Sequence, residues 1–288
     1  MRLNMVTLCL TCEGDIMNTE EKLSGLKDLL KDMKSVLIAF SGGVDSTFLL
    51  KIAYDVLGDR TAAATAVSSI HPDYEHEEAL EYAKIIGAEH IIIEANQMMD
   101  DHSFLSNPPN RCYICKKMIF SGVKKLAQEK GFQFVADGSN VDDTGDFRPG
   151  MKALKELNIR SPLKEAGLNK REIRTLSKKM GLPTWNKPAL ACLATRIPYG
   201  TLITPEKLHR IGEAEKALRK LGFKQVRVRD HDTIARIEVL PEEKKLFSDE
   251  ELTALLVLKL KTLGYKYITL DLEGYRSGSL NEVLKEDE

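Results

Sequence analysis

The sequence has no apolar run approaching the roughly 18 residues that a membrane span requires. It has no surplus of either charge: 42 Lys and Arg stand against 43 Asp and Glu, for a net charge of −1. Domains that grip a polyanion usually carry a visible basic excess, so composition gives a nucleic-acid partner no support. The N-terminal stretch, with Glu13 and Asp15 close behind Cys9 and Cys12, lacks the basic start, long apolar core and small-residue cleavage site of a signal peptide. Cysteine is scarce and odd in number, at five. That argues against a closed disulfide framework, and in a reducing cytoplasm it favours metal binding or redox work for a C-x2-C pair. There is no internal repeat and no low-complexity tract. A cytoplasmic protein is expected, with 288 residues to build one large domain or two ordinary ones.

What is present begins with a loop. The apolar run Val36-Leu37-Ile38-Ala39-Phe40 leads into Ser41-Gly42-Gly43-Val44-Asp45-Ser46, and Thr47-Phe48-Leu49-Leu50-Lys51-Ile52-Ala53 then reads as the start of a helix. Two adjacent glycines let backbone N–H groups converge on an anion without side chains in the way. The positive end of the helix dipole points at the same spot. Hydroxyls of Ser41 and Ser46 add donors, and Asp45 is suited to help hold the magnesium that accompanies a nucleotide. A plain strand-to-helix turn needs the glycines but not the interleaved hydroxyls and carboxylate. The loop is not of the Walker type, because no Gly-Lys-Ser/Thr follows a four-residue gap. It resembles the SGGxDS loop of the ATP pyrophosphatase family. Those enzymes cleave ATP between its α and β phosphates, pass AMP to a carbonyl or carboxylate oxygen, and let a nucleophile displace it.

Strand-like and helix-like segments alternate downstream. Strands are expected at Val36–Phe40, Ala62–Val67, Ile91–Ile93 and Phe132–Ala136, with helices over 45–57, 74–87 and around 112–129. Apolar strands separated by helices of this length imply an α/β fold with a doubly wound parallel sheet. Ligands in such sheets bind outside the carboxyl ends of the strands. Four features fall there: the 41–46 loop, Ser68-Ser69, the 96–111 loop, and Asp137-Gly138-Ser139-Asn140. Ser68 joins the expected ATP-binding set on that ground. Residues 1–16 read as a doubtful N-terminal extension, a loose tail or a misassigned start before Met17. Thr19-Glu20-Glu21 then reads as the cap of a helix carrying Leu23, Leu26, Leu29 and Leu30. The middle, 138–205, is loop-rich with one clear helix at 169–180. Beyond it, helices over 205–221 and 248–263 and strands at Gln225–Arg229, Ile234–Glu238 and Tyr267–Leu272 make a smaller C-terminal α+β domain. The expected domains are thus 17–204 and 205–288.

Cys112 and Cys115 lie three apart at a helix start, so both sulfurs share one face. A helix N-terminus also favours the thiolate. With Cys192 they make three candidate ligands, one short of a structural zinc site. A [4Fe-4S] cluster on three cysteines leaves one iron open for an extra sulfide. Also open are a redox pair with Cys192 as a persulfide or nucleophile, zinc completed by His102 or a carboxylate, and inert buried thiols. Arg227 and Arg229 alternate with Val226 and Val228 and so leave one strand face together. Two such guanidiniums need an anion or carboxylates between them; phosphate suits their fork, and Glu215 and Glu238 are alternative partners. Arg148 and Arg196 each sit against a rigid Pro/Gly turn, Asp146-Phe147-Arg148-Pro149-Gly150 and Arg196-Ile197-Pro198-Tyr199-Gly200. Such turns suit a ligand clamp.

Together, the 41–46 loop, the 146–150 turn, the 186–200 segment, Val226-Arg227-Val228-Arg229, Ile234-Ala235-Arg236-Ile237-Glu238 and Tyr275-Arg276-Ser277-Gly278 resemble the LarE family over 17–281. The resemblance implies a PP-loop domain of adenine nucleotide alpha hydrolase type. It implies ATP-dependent conversion of pyridinium-3,5-biscarboxylic acid mononucleotide to its bisthiocarboxylic acid form, a precursor of the nickel-pincer cofactor. By the same token Ser41, Gly42, Gly43, Asp45 and Ser46 would hold ATP with Mg2+, and Arg148, Arg227 and Arg229 the substrate or nucleotide phosphate. Cys192, Arg196, Glu215 and Glu238 would lie at the reacting centre. Implied partners are the mononucleotide, a sulfur donor, a nickel-inserting enzyme that takes over the product, and further copies in a homo-oligomer. In one form of the family a single cysteine gives up its own sulfur; its position here corresponds to Ala191, one residue before Cys192, and a one-residue shift of the match would give Cys192 that role. With Cys112 and Cys115 also present, the chain resembles the other form, in which Cys112, Cys115 and Cys192 hold a [4Fe-4S] cluster. Rival readings are a tRNA 2-thiolation enzyme of the same superfamily, an amidating ligase of the NAD or GMP synthetase kind, and a nucleotide sensor. The first calls for a basic surplus or paired zinc ribbons, and the second needs no cysteine.

Overall fold

The computed structural model describes residues 10–144, 149–189, 191–276 and 278–284, with the backbone alone at 10–18, 73 and 144. The chain begins with helix α1 (Leu10–Met33), then β1 (Val36–Ala39), α2 (Val44–Leu57), β2 (Thr61–Val67), α3 (Asp73–Ile86) and β3 (Glu89–Glu94). A short α4 (His102–Leu105) precedes α5 (Arg111–Lys130) and β4 (Phe134–Ala136). Three helices follow, α6 (Gly150–Glu156), α7 (Pro162–Glu165) and α8 (Lys170–Lys179). The last part holds α9 (Pro205–Lys220), β5 (Val226–His231), β6 (Ile234–Val239), α10 (Glu250–Thr262) and β7 (Tyr267–Leu270).

The expected α/β architecture is present. The first sheet has the order β3-β2-β1-β4, and β1 pairs in parallel with β2 on one side and β4 on the other. Its continuous apolar run follows from burial on both faces. With side chains alternating, Val36 and Ile38 join a core with Leu26, Leu30, Phe48 and Leu49, whereas Leu37 joins Phe120, Val123 and Val135. The chain leaves β1 toward β2 and later returns to β1's other flank as β4. The carboxyl ends of β1 and β4 therefore bracket a switch point, where open α/β sheets bind ligands.

Two expectations are corrected. Helix α1 begins at Leu10, so Thr19 lies inside it and not at its N-cap; a Thr-Glu-Glu run is also compatible with a helix interior when the upstream backbone is already helical. Within the stretch expected to be loops, α6 and α7 are additional helices, of seven and four residues. Both are shorter than the window over which a 3.6-residue period becomes legible.

By compactness the chain forms two units. One is Met1–Ala66, Tyr74–Glu94 and Lys116–Ala189; the other is Val67–Asp73, Ala95–Cys115 and Leu190–Glu288. In the second, β5 and β6 are antiparallel and β6 pairs in parallel with β7. Ala214 and Leu218 of α9 and Leu256 and Leu260 of α10 close its core over Val226, Val228, Ala235 and Ile237. Thr204 caps α9 by accepting the Lys207 N–H, with Pro205 at the first helical position. Among the described residues, no helix is long and apolar enough to cross a membrane.

Candidate active site

In the first unit, the 41–46 loop joins β1 to α2. Gly42 adopts φ +65°, and a Cβ there would stand 3.1 Å from the Ala79 Cα of α3, so both conformation and space demand glycine. Gly43 precedes α2 in an extended conformation, and no side chain caps the helix. Its first-turn N–H groups are thus left to an outside acceptor, with the dipole favouring an anion. The Ser41 and Ser46 hydroxyls lie 3.2 Å apart and line the turn. Gly138, just past β4, packs so closely that a Cβ would meet the Ser46 nitrogen at 2.9 Å. The switch-point crevice is therefore walled by backbone on both sides.

Two lysines complete this cradle. Lys170, the first residue of α8, pairs with Asp45 Oδ2. Burial pushes the Asp45 carboxyl above its ordinary range; Lys170 works against that shift, the Asp143 carboxylate adds to it, and Asn140 opposes it. Asp45 Oδ1 is buried without a hydrogen-bond partner among the described residues. Lys187 donates to the Gly42 carbonyl at 2.9 Å, pairs with Glu78 at 2.7 Å, and lies 5.1 Å from the Tyr82 ring centroid. Arg174 of α8 fixes the backbone beneath it by donating to the Trp185 and Lys187 carbonyls.

The second unit holds the expected reacting residues. Arg196 and Glu215 are 2% and 1% exposed and form a bidentate pair, Nε to Oε1 at 2.8 Å and Nη2 to Oε2 at 3.0 Å. Arg196 Nη1 donates to the carbonyls of Ala191 (2.6 Å) and Cys192 (2.9 Å) and contacts Thr195 Oγ1. The guanidinium thus grips the turn that carries Cys192. Burial alone would raise the Glu215 carboxyl, but Arg196, Arg227 and Arg219 outweigh it and hold the group below its ordinary value. Glu215 Oε1 also accepts the Val228 N–H of β5 at 3.0 Å.

Arg229 makes a second buried bidentate pair, with Glu238 at 2.8 Å for both contacts. It also donates to the Thr195 carbonyl at 2.7 Å and to Ser279 Oγ at 2.8 Å. Arg227 lies 5.3 Å from the Tyr275 ring centroid; burial and then Arg196 lower its pKa against the pull of Glu215. Of the two carboxylates expected to serve the β5 arginines, Glu238 takes Arg229, while Glu215 is claimed first by Arg196.

Cys112 and Cys115 stand in the first turn of α5, and with Cys192 they are half-buried thiols. Next to them, Arg111 donates to Asn107 Oδ1 at 2.9 Å and stacks 4.5 Å from the Tyr199 ring centroid. Asn107 Nδ2 in turn donates to the Ile197 and Pro198 carbonyls. Burial raises the Tyr199 phenol; Arg111 opposes this, and the Cys112 and Cys192 sulfurs both add to it. Both sulfurs thus act electrostatically on one phenol. Among the described residues, no group of three or more His, Cys, Asp and Glu side chains is arranged to hold a single metal ion.

The structure thus gathers Ser41, Gly42, Gly43, Asp45 and Ser46 in the first unit and Cys192, Arg196, Glu215, Arg227, Arg229 and Glu238 in the second. Ser68 falls in the second unit, within 3.3 Å of His71 Nδ1. Arg148 and Cys9 lie outside the described residues, and Cys12 is described in backbone only. Sequence reasoning missed Lys170 and Lys187 as members of the cradle, and Asn107, Arg111 and Tyr199 as the frame around the cysteines. The signal available for Lys187 was its rigid successor Pro188; Lys170 had none beyond its place at a helix start.

A family model described as NAD synthase matches residues 20–109. The chain is 41% identical over 268 residues to the pyridinium-3,5-bisthiocarboxylic acid mononucleotide synthase of Lactiplantibacillus plantarum, covering 91% of this chain and 95% of that protein. It is 47% identical to an uncharacterised protein of Synechocystis (92% of this chain, 98% of that one). A Methanocaldococcus jannaschii protein, also uncharacterised, is 33% identical (89% and 98%). Likeness of this extent spans the cradle and the arginine-rich second unit alike, and the chain belongs to the LarE family of PP-loop proteins.

Proposed function

We propose that this protein is an ATP-dependent sulfurtransferase that turns the two carboxylates of pyridinium-3,5-biscarboxylic acid mononucleotide into thiocarboxylates. The cradle at 41–46 supports binding of the triphosphate. Magnesium fits there: Asp45 offers a buried oxygen without a partner, and Mg2+ commonly takes one or two carboxylates and completes its shell with phosphates and water. When bound, the ion neutralises charge on the departing pyrophosphate. A substrate carboxylate oxygen attacks the α-phosphorus, the bond to the β-phosphate bridging oxygen breaks, and pyrophosphate leaves. A sulfur anion then attacks the acyl carbon, the carbon–oxygen bond to AMP breaks, and AMP leaves. Repetition on the second carboxylate completes the product.

What carries the reading is near full-length likeness to a synthase of that product in a chain that has both an adenylation-type cradle and a cysteine turn gripped by a buried ion pair. Arg196 and Glu215 act on this view as positioning residues, because Arg196 spends its donors on Glu215 and on the turn. Arg227 is the better candidate for the substrate phosphate. Three guanidiniums, Arg196, Arg219 and Arg227, act on the single Glu215 carboxylate, which leaves a positive environment for an anion.

Pyrophosphate release from ATP that depends on the biscarboxylate mononucleotide, with a product mass showing one sulfur-for-oxygen exchange per carboxylate when sulfide is supplied, is the expected result. Release that depends instead on tRNA, or ammonia incorporation in place of sulfur, would overturn it. The sulfur carrier is decided separately. Iron and acid-labile sulfide bound to the anaerobically prepared protein and lost in Cys192→Ala support a three-cysteine [4Fe-4S] cluster. No iron after anaerobic reconstitution, with sulfur missing from Cys192 after turnover, supports a sacrificial cysteine.

A further inference from the structure

Lys170 pairs with Asp45, the residue whose other carboxylate oxygen is buried without a partner among the described residues. Its backbone is fixed twice over. Asn169 and Glu172 form a capping box that sets the start of α8, and the Lys170 N–H donates to Asp142 Oδ2 at 2.9 Å. The adjoining Val141 N–H donates to the Leu168 carbonyl at 3.0 Å, tying the two loops together. From this anchor the lysine reaches Asp45 Oδ2 in the first turn of α2. Asp143 is the second carboxylate near Asp45, held by the Asn140 N–H at 2.9 Å. The Asp143 charge works against an ionised Asp45, and the Lys170 ammonium paired with Asp45 offsets it in the absence of nucleotide.

An ammonium on Asp45 Oδ2 and a divalent cation on the neighbouring Oδ1 of the same carboxylate repel each other strongly. We propose that Lys170 is the resting counter-ion of Asp45, which Mg2+ must displace as it arrives with ATP. The inference rests on the nucleotide reading of the cradle. Lysine suits the role: its charge rides on a flexible four-carbon stem, and the side chain here is 32% exposed, so it has room to swing. Without nucleotide, displacing the ammonium breaks its ion pair with Asp45, so metal binding is disfavoured. With ATP, the phosphates take it up, so metal and nucleotide favour each other's binding.

Mn2+ serves as the probe, read by electron paramagnetic resonance without turnover. Wild type should bind Mn2+ weakly alone and much more tightly with ATP. Lys170→Met should bind Mn2+ alone at least about tenfold more tightly than wild type, with the ATP-induced gain reduced. Lys170→Arg, which keeps the charge, should stay close to wild type and guard against an effect of altered folding. Asp45→Asn should lose the Mn2+ site. Mn2+ affinity of Lys170→Met equal to or below wild type, or binding that survives Asp45→Asn, would overturn the proposal. Wild type that binds neither ATP nor Mn2+ with ATP would instead overturn the nucleotide reading, and this inference with it.

Discussion

Lys187 shows how much one side chain decides at the residue scale. Its ammonium meets a loop carbonyl, a carboxylate and an aromatic face at once. Lys187→Met removes a charge-assisted donor from the phosphate cradle, worth roughly 1.5–3 kcal/mol. Inorganic pyrophosphate should then bind at least about tenfold less tightly, while AMP affinity hardly moves, both measured by calorimetry. Glu215 makes a different prediction. Its folded-state pKa lies below the ordinary 4.5, so its stabilisation is complete above the unfolded value and is lost as pH falls through the folded one. Melting curves taken across the acid range should show this limb in wild type and lack it in Glu215→Gln. The variant should also be less stable near neutrality by roughly 3–5 kcal/mol, because Arg196 would be left buried without its partner.

At the scale of elements, the cradle depends on close backbone approach. Gly42→Ala places a side chain at positive φ and against α3. Gly138→Ala drives a Cβ into the N-terminus of α2, against backbone that has no flexible end to yield. Both variants should lose ATP affinity more than stability, by calorimetry and thermal melts respectively, with Gly138→Ala losing more of both. The β5 strand carries a second lesson. Alternation predicts one apolar and one charged face, and both are in fact buried. A buried charged face is costly unless its groups are paired, and Arg229 is paired with Glu238 to within 2.8 Å at both contacts.

At the scale of the molecule, the second unit draws on three separate stretches of chain. A cut at the expected boundary, 204/205, would strip it of the turn that supplies Arg196 to Glu215 and the Thr195 carbonyl to Arg229. The fragment 205–288 should therefore melt at lower temperature and less cooperatively than 190–288. Equal melting curves for the two would mean that the buried pairs contribute nothing to this unit's stability.

The sequence by itself determined the strands and long helices, the loop that begins at Ser41 and the grouping of residues by chemistry. Those features rest on local patterns: apolar runs, helical periodicity, glycine pairs and cysteine spacing. The partners of the charged residues were decided by tertiary structure. Lys170 reaches Asp45 across 125 positions and Glu215 meets Arg196 across 19, and no local pattern encodes which carboxylate a given cation will find. Burial then made those pairings obligatory, because a charge taken out of water must be neutralised by whatever the fold brings beside it.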